Sequence, residues 1–341
     1  PIFMTFSKKI IIQKKIISNN NQPFIIAEIG SNFNQNIKIA KKLIDIAKNC
    51  GADAVKFQLF KADVLYPKKK DEKMNKLFKS IELKPSWAKE LKDYSDKIGI
   101  IFFASAFDLS SARFLEKINV KLHKIASSEL TNFKLIKFLA STKKPLLLST
   151  GMSDMDDIHR ALKICQSKKN FDIVVMQCGS MYPLTYDYVN LNVLNSYKKK
   201  FKTMVGFSDH TTDNISSLVA LGKNSVVFEK HFTLSKKSKG PDHFYALEPK
   251  QLKMYISQLK KGFKSLGLEK KDLLPIEKKF CRREGLYFKN DLSLGTKILK
   301  KHLYIKRPPI GIRPKYLKSV LGKKLTKHVK KDEPLMITSL N

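Results

Sequence analysis

Eight short runs of apolar residues recur along the chain up to residue 232, and polar, helix-like stretches separate them. The runs cover residues 24–30, 53–60, 99–107, 122–127, 145–151, 171–178, 203–210 and 225–232. Near-continuous apolar runs of this length are typical of strands that are buried on both faces of a parallel sheet. The pattern therefore predicts eight parallel strands.

The intervening stretches repeat apolar residues three and four positions apart, which is typical of helices that cover a sheet. They cover residues 37–51, 85–99, 109–118, 132–142, 154–166, 189–200, 213–223 and 249–267. Eight strand–helix units in about 250 residues is the count of a closed barrel. An open doubly wound sheet is the competing fold, but no GxGxxG motif follows the first run. We predict an α/β fold of the (β/α)8 TIM-barrel class.

The pattern changes near residue 275, where long helical periods give way to short strands, Gly and Pro turns, and one short helix near 314–322. We predict four parts. They are an N-terminal extension that could add a hairpin (1–22), the catalytic barrel (23–270), a linker (271–282) and a small β-rich domain (283–341). With few apolar runs, the last has little predicted core and is expected to dock on another surface. Residues 65–84 are interpreted as a polar insertion on the face where barrel loops build sites.

The strongly positive net charge suggests a nucleic-acid-binding protein, but the kind of basic residue argues against that class. Lys and Arg total 66 against 30 Asp and Glu, a formal net charge of +36, which is common in nucleic-acid-binding proteins. Only six of these residues are arginines, and the sixty lysines are spread along the whole chain. Because arginine is the side chain that forks onto phosphates and base edges, we predict a solvated lysine surface and no nucleic-acid partner. The same field would favour small anionic substrates.

Membrane and secreted classes also fit poorly. No run approaches the ~18 apolar residues of a transmembrane helix, and the basic first residues lack the apolar stretch of a signal peptide. The four cysteines, at positions 50, 165, 178 and 281, lie far apart without a CxxC pair. This usage fits a reducing compartment better than a disulfide framework or a zinc ribbon. We therefore expect a cytoplasmic protein with no membrane partner.

Polar residues stand at the end of nearly every predicted strand. They include Glu28, Lys56, Gln58, Ser105, Asp108, Lys124, Ser127, Ser149, Ser180, Tyr182, Ser208, Asp209, His210, Glu229, Lys230 and His231. Strand ends converge at the C-terminal face of a barrel, and buried ionic groups without partners are costly, so a shared polar ligand is predicted there. Hydroxyls and a lysine on strands four to seven (Lys124, Ser149, Ser180, Ser208) suit phosphate oxygens.

Each of these residues also has a purely structural interpretation. Asp108 and Asp209 could be turn or helix caps. Lys56 and Lys124 could form barrel salt bridges with glutamates such as Glu28 or Glu229. His210 and His231 could be satisfied core histidines, but they close adjacent strands, so their rings can meet at one point and bind a divalent cation.

The chain resembles the sialic acid (N-acetylneuraminate) synthase family over nearly its whole length. The segments that carry the resemblance, in order, are IAEIGSNFN, ADAVKFQ, KIASSELTN, LLLSTGM, QCGSMYPL, GFSDHT, EKHFTL and KGPDH..ALEP. The C-terminal RP..GI.P…GKK…DEPL resembles the family's antifreeze-like (SAF) domain. Eight or more blocks in the right order, on the expected strands, make the resemblance specific.

The resemblance implies a metal-dependent condensation of phosphoenolpyruvate with an N-acylated mannosamine-type sugar, with release of phosphate. It also implies Mn²⁺ as the cation, with Mg²⁺ or Co²⁺ as alternatives, and a homodimer with domain-swapped SAF domains. It places the metal on His210 and His231, and phosphoenolpyruvate on Lys56, Ser105, Lys124, Ser127, Ser149 and Ser208. Glu28, Gln58, Tyr182 and Asp242 match positions at the sugar or the reacting centre, and Arg307 matches an arginine that reaches the partner subunit's sugar. From these matches we predict Glu28, Lys56 and Lys124 as catalytic residues.

The sequence departs from the family pattern at several positions. Phe33 and Gln35 stand where the family usually has His and Gly, and Gly179 replaces a common Thr. The family's basic residue after the linker falls at Arg282, Arg283 or Glu284. We expect such changes to affect the choice of sugar more than the reaction.

Three alternative functions remain at this point. The nearest is a legionaminic- or pseudaminic-type nonulosonate synthase that uses a 6-deoxy-di-N-acetyl hexose. A second is a different phosphoenolpyruvate aldol-type synthase, which the C-terminal domain argues against. A third, from another class, is a basic nucleic-acid-binding protein.

Overall fold

The computed structural model describes residues 5–279 and 283–341. The described chain divides into two compact units, the first ending at Gly267 and the second beginning at Leu268. Cys281 and Arg282 lie outside the described residues, so the linker predicted over 271–282 is described only in part.

A hairpin precedes the barrel. Strands β1 (Lys9–Ile12) and β2 (Lys15–Ser18) pair in antiparallel fashion. Ile10, Ile12 and Ile17 are buried in one cluster with apolar residues from the first halves of the barrel strands. The hairpin therefore closes the N-terminal end of the barrel and leaves the opposite end to form a site.

Eight parallel strands close on themselves, because the last strand of the barrel pairs with the first. They are β3 (Phe24–Gly30), β4 (Ala54–Leu59), β5 (Ile101–Ala106), β6 (His123–Ile125), β7 (Leu146–Ser149), β8 (Ile173–Cys178), β9 (Met204–Asp209) and β10 (Ser225–His231). Each strand falls inside one predicted apolar run, and the predicted TIM-barrel class is confirmed.

Helices cover the outside of the barrel. They are α1 (Ile37–Cys50), α2 (Ala62–Leu65), α3 (Glu72–Ile81), α4 (Pro85–Ile98), α5 (Leu109–Lys117), α6 (Phe133–Ser141), α7 (Met155–Ser167), α8 (Val193–Phe201), α9 (Ile215–Gly222) and α10 (Pro249–Leu266). Local signals set their ends: the Asp108 carboxylate caps α5 by accepting the Ser111 N–H, as its structural interpretation predicted. Over residues 5–279 and 283–341, no helix has both the length and the apolar character to cross a membrane.

The strands divide their side chains between two environments. Because successive side chains of a strand point to opposite faces, Ile25 and Ala27 pack under the helices while Ile26 points into the barrel. The inward row of each strand begins apolar and becomes polar towards its C-terminal end, as in Ile26 followed by Glu28 and Ala54 followed by Lys56. This alternation places the polar strand ends inside the mouth of the barrel.

The polar insertion predicted over residues 65–84 contains helix α3, and the short helix α2 ends at its first residue. The Asp71 carboxylate caps α3, and the buried Asn75 amide donates to Asp63 and to the Tyr66 carbonyl. Phe78 packs against the rings of Phe60 and Tyr66. The polar insertion therefore also carries an apolar face, because the apolar residues of 72–81 recur at helical spacing.

The second unit is small and rich in turns, as predicted. It contains α11 (Pro275–Lys279), the antiparallel pair β11 (Gly285–Phe288) and β12 (Leu303–Lys306), and α12 (Leu317–Val320). Contrary to the expectation of little core, it has its own apolar cluster. The members are Leu286, Phe288, Ile298, Leu303, Val320, Leu325, Val329 and Leu335. These residues come from separate turns and short strands, so the sequence contains no long apolar run that would have predicted this core.

Candidate functional site

A cavity of about 340 Å³ opens at the C-terminal mouth of the barrel. Its polar lining comes from all eight strands or the loops that follow them, which is where sites form in this fold. Thirteen of the fourteen predicted site residues line it. They are Glu28, Lys56, Gln58, Ser105, Lys124, Ser127, Ser149, Ser180, Tyr182, Ser208, His210, His231 and Asp242.

Two lysines and two glutamates form a buried charged row across the floor of the cavity. The Lys56 Nζ atom lies 3.2 Å from Glu28 and 3.5 Å from Glu229. The Lys124 Nζ atom lies 3.6 Å from Glu229. Lys56 also donates to the Ser105 hydroxyl at 2.9 Å. The barrel salt bridges considered from the sequence are therefore present, and they lie within the cavity itself.

Burial and neighbouring charges shift the protonation of this row. Burial raises the pKa of Glu28 to about 7, against the opposing effect of Lys56. Burial lowers the pKa of Lys124, with Glu229 opposing. Burial would also raise the pKa of Glu229, but Lys124 and Lys56 outweigh it and lower that pKa. Near neutral pH the Glu229 carboxylate is thus ionised and Glu28 is partly protonated, so the two glutamates together carry less than two negative charges beside the two lysines.

A cradle of hydroxyls lies around Gly151 in the cavity that Lys124 also lines. The Gly151 N–H donates to the Ser127 Oγ atom at 3.0 Å. A Cβ atom on Gly151 would lie 2.3 Å from the Ser180 Oγ atom and 2.8 Å from the Ser127 Oγ atom, so only glycine leaves this space open. The Ser149 and Ser180 hydroxyls are buried without a hydrogen-bond partner. Unpaired buried hydroxyls beside a lysine fit an oxygen-rich anion such as phosphate.

The two predicted histidines meet at the other side of the cavity. The rings of His210 and His231 have centroids 5.5 Å apart. The His210 Nδ1 atom lies 2.6 Å from the Gly179 carbonyl oxygen, so the neutral ring would donate from Nδ1 and offer the Nε2 lone pair to a ligand. Burial, followed by the charge of His210, lowers the pKa of His231 well below its usual value, and its Nδ1 atom has no hydrogen-bond partner.

This donor set fits a divalent cation with two protein ligands. Over the described residues, no group of three or more His, Cys, Asp or Glu side chains is arranged to hold a metal. Two imidazoles would leave the remaining coordination positions open for substrate or water, as catalytic metal sites require.

Aromatic rings surround the histidine pair. The Tyr182 ring lies 4.2 Å from that of His210, and the Tyr245 ring lies 5.0 Å from that of His231. The Tyr245 hydroxyl donates to Asp242 at 2.8 Å. Burial raises the pKa of Asp242. The side of the cavity with the histidines thus offers flat rings and a carboxyl group, a combination that suits a polyhydroxylated ligand.

Arg307, the fourteenth predicted residue, belongs to the second compact unit. It is exposed, and its guanidinium pairs with Glu284 at 3.1 Å. Three positions were considered for the family's basic residue after the linker. Glu284 forms this ion pair, Arg283 is exposed, and Arg282 lies outside the described residues. Phe33, another departure from the family pattern, is fully buried against Phe57 and Trp87.

Sequence reasoning did not assign two features of the cavity. Glu229 accepts a hydrogen bond from Ser208 at 3.0 Å and contacts both lysines. The sequence placed it among the polar strand ends, but it was given no catalytic or binding role. Its spacing two residues before His231 places both on one strand face and could have identified it. The second feature is an apolar wall, formed by Leu77, Phe78, Ile81, Phe107 and Met152.

Comparisons with known proteins agree with this architecture. The model of the NeuB family matches residues 43–271, and that of the SAF domain matches residues 283–340. N,N'-diacetyllegionaminic acid synthase of Campylobacter jejuni is 38% identical over 91% of this chain and 97% of its own. Human N-acetylneuraminate-9-phosphate synthase is 32% identical over 92% of this chain and 91% of its own.

A solved structure described as N-acetylneuraminic acid (sialic acid) synthetase, from Leptospira borgpetersenii, superposes with a TM-score of 0.76. It is 29% identical and covers 81% of this chain and 96% of that one. The match of a family model over most of the barrel, the SAF match beyond it and the identity to sialic and legionaminic acid synthases establish that this chain belongs to the NeuB family.

Proposed function

We propose that this protein condenses phosphoenolpyruvate with an N-acylated mannosamine-type sugar, giving a nine-carbon 2-keto-3-deoxy sugar acid and phosphate. One observation carries the proposal: a histidine pair suited to a cation and a lysine–serine cluster suited to phosphate line the same cavity. The names of related synthases support the same reaction class. The reaction needs an anion subsite, an activated carbonyl and control of a proton, and the cavity offers a candidate for each.

The phosphate of phosphoenolpyruvate is assigned to the cradle around Gly151. Lys124 lines the same cavity, and the hydroxyls of Ser149 and Ser180, which have no hydrogen-bond partner, supply donors. Lys56, which already holds the Ser105 hydroxyl, is assigned to the carboxylate of the same substrate. Charge-assisted hydrogen bonds from buried lysines are stronger than those in water, because the site excludes most of the competing solvent. Ser127 and Ser208 complete this half of the cavity.

The sugar is assigned to the half of the cavity that holds the histidines. A divalent cation on His210 and His231, with Mn²⁺ our first choice and Mg²⁺ or Co²⁺ the alternatives, would polarise the sugar's aldehyde oxygen as a Lewis acid. Tyr182 and Asp242 flank this position and are assigned to the sugar hydroxyls. The methylene carbon of phosphoenolpyruvate then adds to the aldehyde carbon. Water adds to the resulting cationic centre, and phosphate leaves.

Glu28 is assigned to proton transfer or positioning at the reacting oxygen. Its pKa of about 7 means that it can hold or give up a proton near neutral pH. The Gln58 amide donates to its Oε1 atom at 3.1 Å and fixes its orientation. Gly30, at φ +54°, keeps the backbone close to both, since a Cβ there would lie 3.3 Å from each side chain.

The acceptor sugar has two candidates. N-acetylmannosamine, which gives N-acetylneuraminate, is the first. The second is a 6-deoxy-di-N-acetyl hexose, which leads to a legionaminic-type acid, and two observations favour it. The Campylobacter jejuni relative named N,N'-diacetyllegionaminic acid synthase is 38% identical, against 32% for the human sialic acid relative. The apolar wall would also contact the additional methyl groups of such a sugar better than it would contact hydroxyls.

We further propose that the enzyme works in the cytoplasm as a homodimer in which each SAF domain serves the other subunit. Arg307 is then the residue offered in trans. In the isolated chain its guanidinium is exposed and occupied by Glu284, so it is available to a ligand through exchange of one surface ion pair.

The test is release of phosphate from phosphoenolpyruvate, measured with Mn²⁺ and each candidate sugar in turn, and repeated in chelator. We expect release only when sugar and metal are both present, and a 2-keto-3-deoxy acid in equal amount. The matched control is the His210→Ala chain under the same conditions. Wild-type protein that releases no phosphate with any sugar of the panel, or that binds duplex DNA in a salt-dependent manner instead, would contradict the proposal.

A further inference from the structure

Lys230 lies between Glu229 and His231 on β10, but it faces the other way. Strand alternation turns its side chain out of the barrel, and it is 2% exposed there. Its Nζ atom lies 3.0 Å from the Asp209 carboxylate and donates to the carbonyl oxygens of Thr211 and Asp213. An ammonium group has three N–H donors, and all three therefore have an acceptor.

The acceptors are the last residue of β9, Asp209, and two residues of the turn that follows it. Asp209 accepts from the Thr211 N–H at 2.8 Å and from its hydroxyl at 2.7 Å. The Ser217 hydroxyl of α9 donates to the other Asp209 oxygen and lies 2.8 Å from the Tyr255 hydroxyl of α10. His210 is the first residue of this turn, between Asp209 and Thr211. The backbone on both sides of His210 is thus tied to the neighbouring strand and to two helices.

We propose that Lys230 is the positioning residue of the cation site. Lys230 directly precedes His231 on β10, and its side chain hydrogen-bonds the turn that begins at His210. One residue therefore fixes the position of one histidine ring relative to the other. The inference rests on the proposed function, since it concerns the cation assigned to those histidines. Lys230 does not line the cavity, and it acts on the site only through the two histidines.

Burial of an ion pair is weak evidence of a stabilising role, because apolar residues of similar volume often serve as well. What an apolar residue cannot supply is the pair of hydrogen bonds to the Thr211 and Asp213 carbonyls. A structural role and a positioning role therefore differ in their consequences. If Lys230 is only structural, any folded variant should bind the cation with normal affinity. If Lys230 is a positioning residue, a folded variant should bind the cation more weakly.

The experiment measures binding of Mn²⁺ alone to the full chain, by calorimetry and by the paramagnetic resonance signal of free Mn²⁺. The variant is Asp209→Asn combined with Lys230→Met, which removes both charges together and leaves no unpaired one. We expect Mn²⁺ affinity to fall about 10–100-fold, as loss of outer-shell support usually does. The control is Lys92→Met, which removes a buried lysine paired with Asp96 on α4, and it should bind Mn²⁺ as the wild type does.

A folded double variant with wild-type Mn²⁺ affinity overturns the inference. If the double variant does not fold, Lys230→Arg replaces it. That change keeps the charge opposite Asp209, but a planar guanidinium does not reproduce the arrangement of the ammonium. It should melt near the wild-type temperature and bind Mn²⁺ measurably more weakly, and unchanged affinity would again overturn the inference.

Failure of the proposed function looks different. If the wild type binds no Mn²⁺, or if the His210→Ala and His231→Ala chains bind it as tightly as the wild type, the cation site itself is wrong and this inference falls with it. If the histidine variants lose Mn²⁺ while the Lys230 variants retain it, only the positioning role is wrong.

Discussion

Glu28 and Lys56 face each other across the adjacent strands β3 and β4, and their charged ends lie 3.2 Å apart in the mouth of the barrel. Glu229 contacts the same lysine from β10 at 3.5 Å. Two carboxylates share one ammonium in a buried site, and burial raises the pKa of Glu28 to about 7.

The first prediction concerns this shift and stability. A carboxyl group with a raised pKa binds more protons in the folded state than in the unfolded state between about pH 4.5 and 7, so stability falls as pH rises through that window. Glu28→Gln removes this dependence. The melting temperature of the variant minus that of the wild type should therefore increase from the acid end of the window to the alkaline end. A difference that stays constant across the window would contradict the raised pKa of Glu28.

The second prediction concerns the cation. Changing His210 or His231 to Ala should abolish metal-dependent turnover, because each ring is expected to supply one of only two protein ligands. The fold should persist, since both side chains line the cavity at the mouth of the barrel and are not part of its packed interior. Turnover with added Mn²⁺ and a thermal melt measure the two outcomes. Full activity of the double variant in chelator would exclude a role for this pair.

The third prediction assigns Lys124 to phosphoenolpyruvate. Loss of one charge-assisted contact costs about 1.5–3 kcal/mol, so Lys124→Ala should raise the KM for phosphoenolpyruvate, lower turnover, or both, by about tenfold to a hundredfold in kcat/KM. Lys144→Ala removes a lysine paired with Glu116 away from the cavity and should change neither constant. A change confined to the KM of the sugar would show that Lys124 serves the other substrate.

The fourth prediction tests the hydroxyl cradle. Gly151→Ala places a methyl group 2.3 Å from the Ser180 Oγ atom, so the hydroxyls must move apart or the anion is displaced. The KM for phosphoenolpyruvate should rise while the melting temperature stays close to that of the wild type. Gly222→Ala is the matched control, because a Cβ atom there meets nothing within 4 Å. Equal kinetics of the two variants would remove the phosphate from this cradle.

The fifth prediction tests the trans arrangement of the SAF domain. Arg307→Ala and His210→Ala chains, each inactive alone, are mixed under conditions that exchange subunits. Each heterodimer should contain one working site, formed by the intact barrel of the first chain and the intact arginine of the second. The measurement is recovered phosphate release against the fraction of heterodimer. No recovery despite demonstrated exchange, or a fully active wild-type monomer, would contradict the arrangement.

The sequence predicted the barrel almost strand by strand, because a strand buried on both faces must be apolar along its length. The run 24–30 and the strand Phe24–Gly30 coincide, and the shorter strand His123–Ile125 still falls inside its run. The turn-rich second unit was predicted less completely. Its core residues are single positions such as Leu286 and Val329, which no periodic pattern groups together.

Most of the candidate site was also accessible from sequence, for a geometric reason. A closed parallel barrel brings all eight strand ends to one mouth, so polar residues that end different strands are neighbours even when they are distant in the chain. His210 and His231 were expected to meet on this ground, and their rings lie 5.5 Å apart. The sequence did not show that the adjacent Lys230 and His231 differ in role. In the structure His231 lines the cavity, whereas Lys230 points out of the barrel and pairs with Asp209.

The sequence by itself determined the fold class and the composition of the barrel mouth, since both depend on which residue types recur at which spacing. Only the tertiary structure decided the partners. Glu229 contacts two lysines from other strands, and Lys230 donates to the turn that begins at His210. Phe78, from a lysine-rich insertion, contributes to the apolar wall of the cavity. Such contacts depend on distances between segments far apart in the chain, and those distances exist only once hydrophobic burial has closed the barrel.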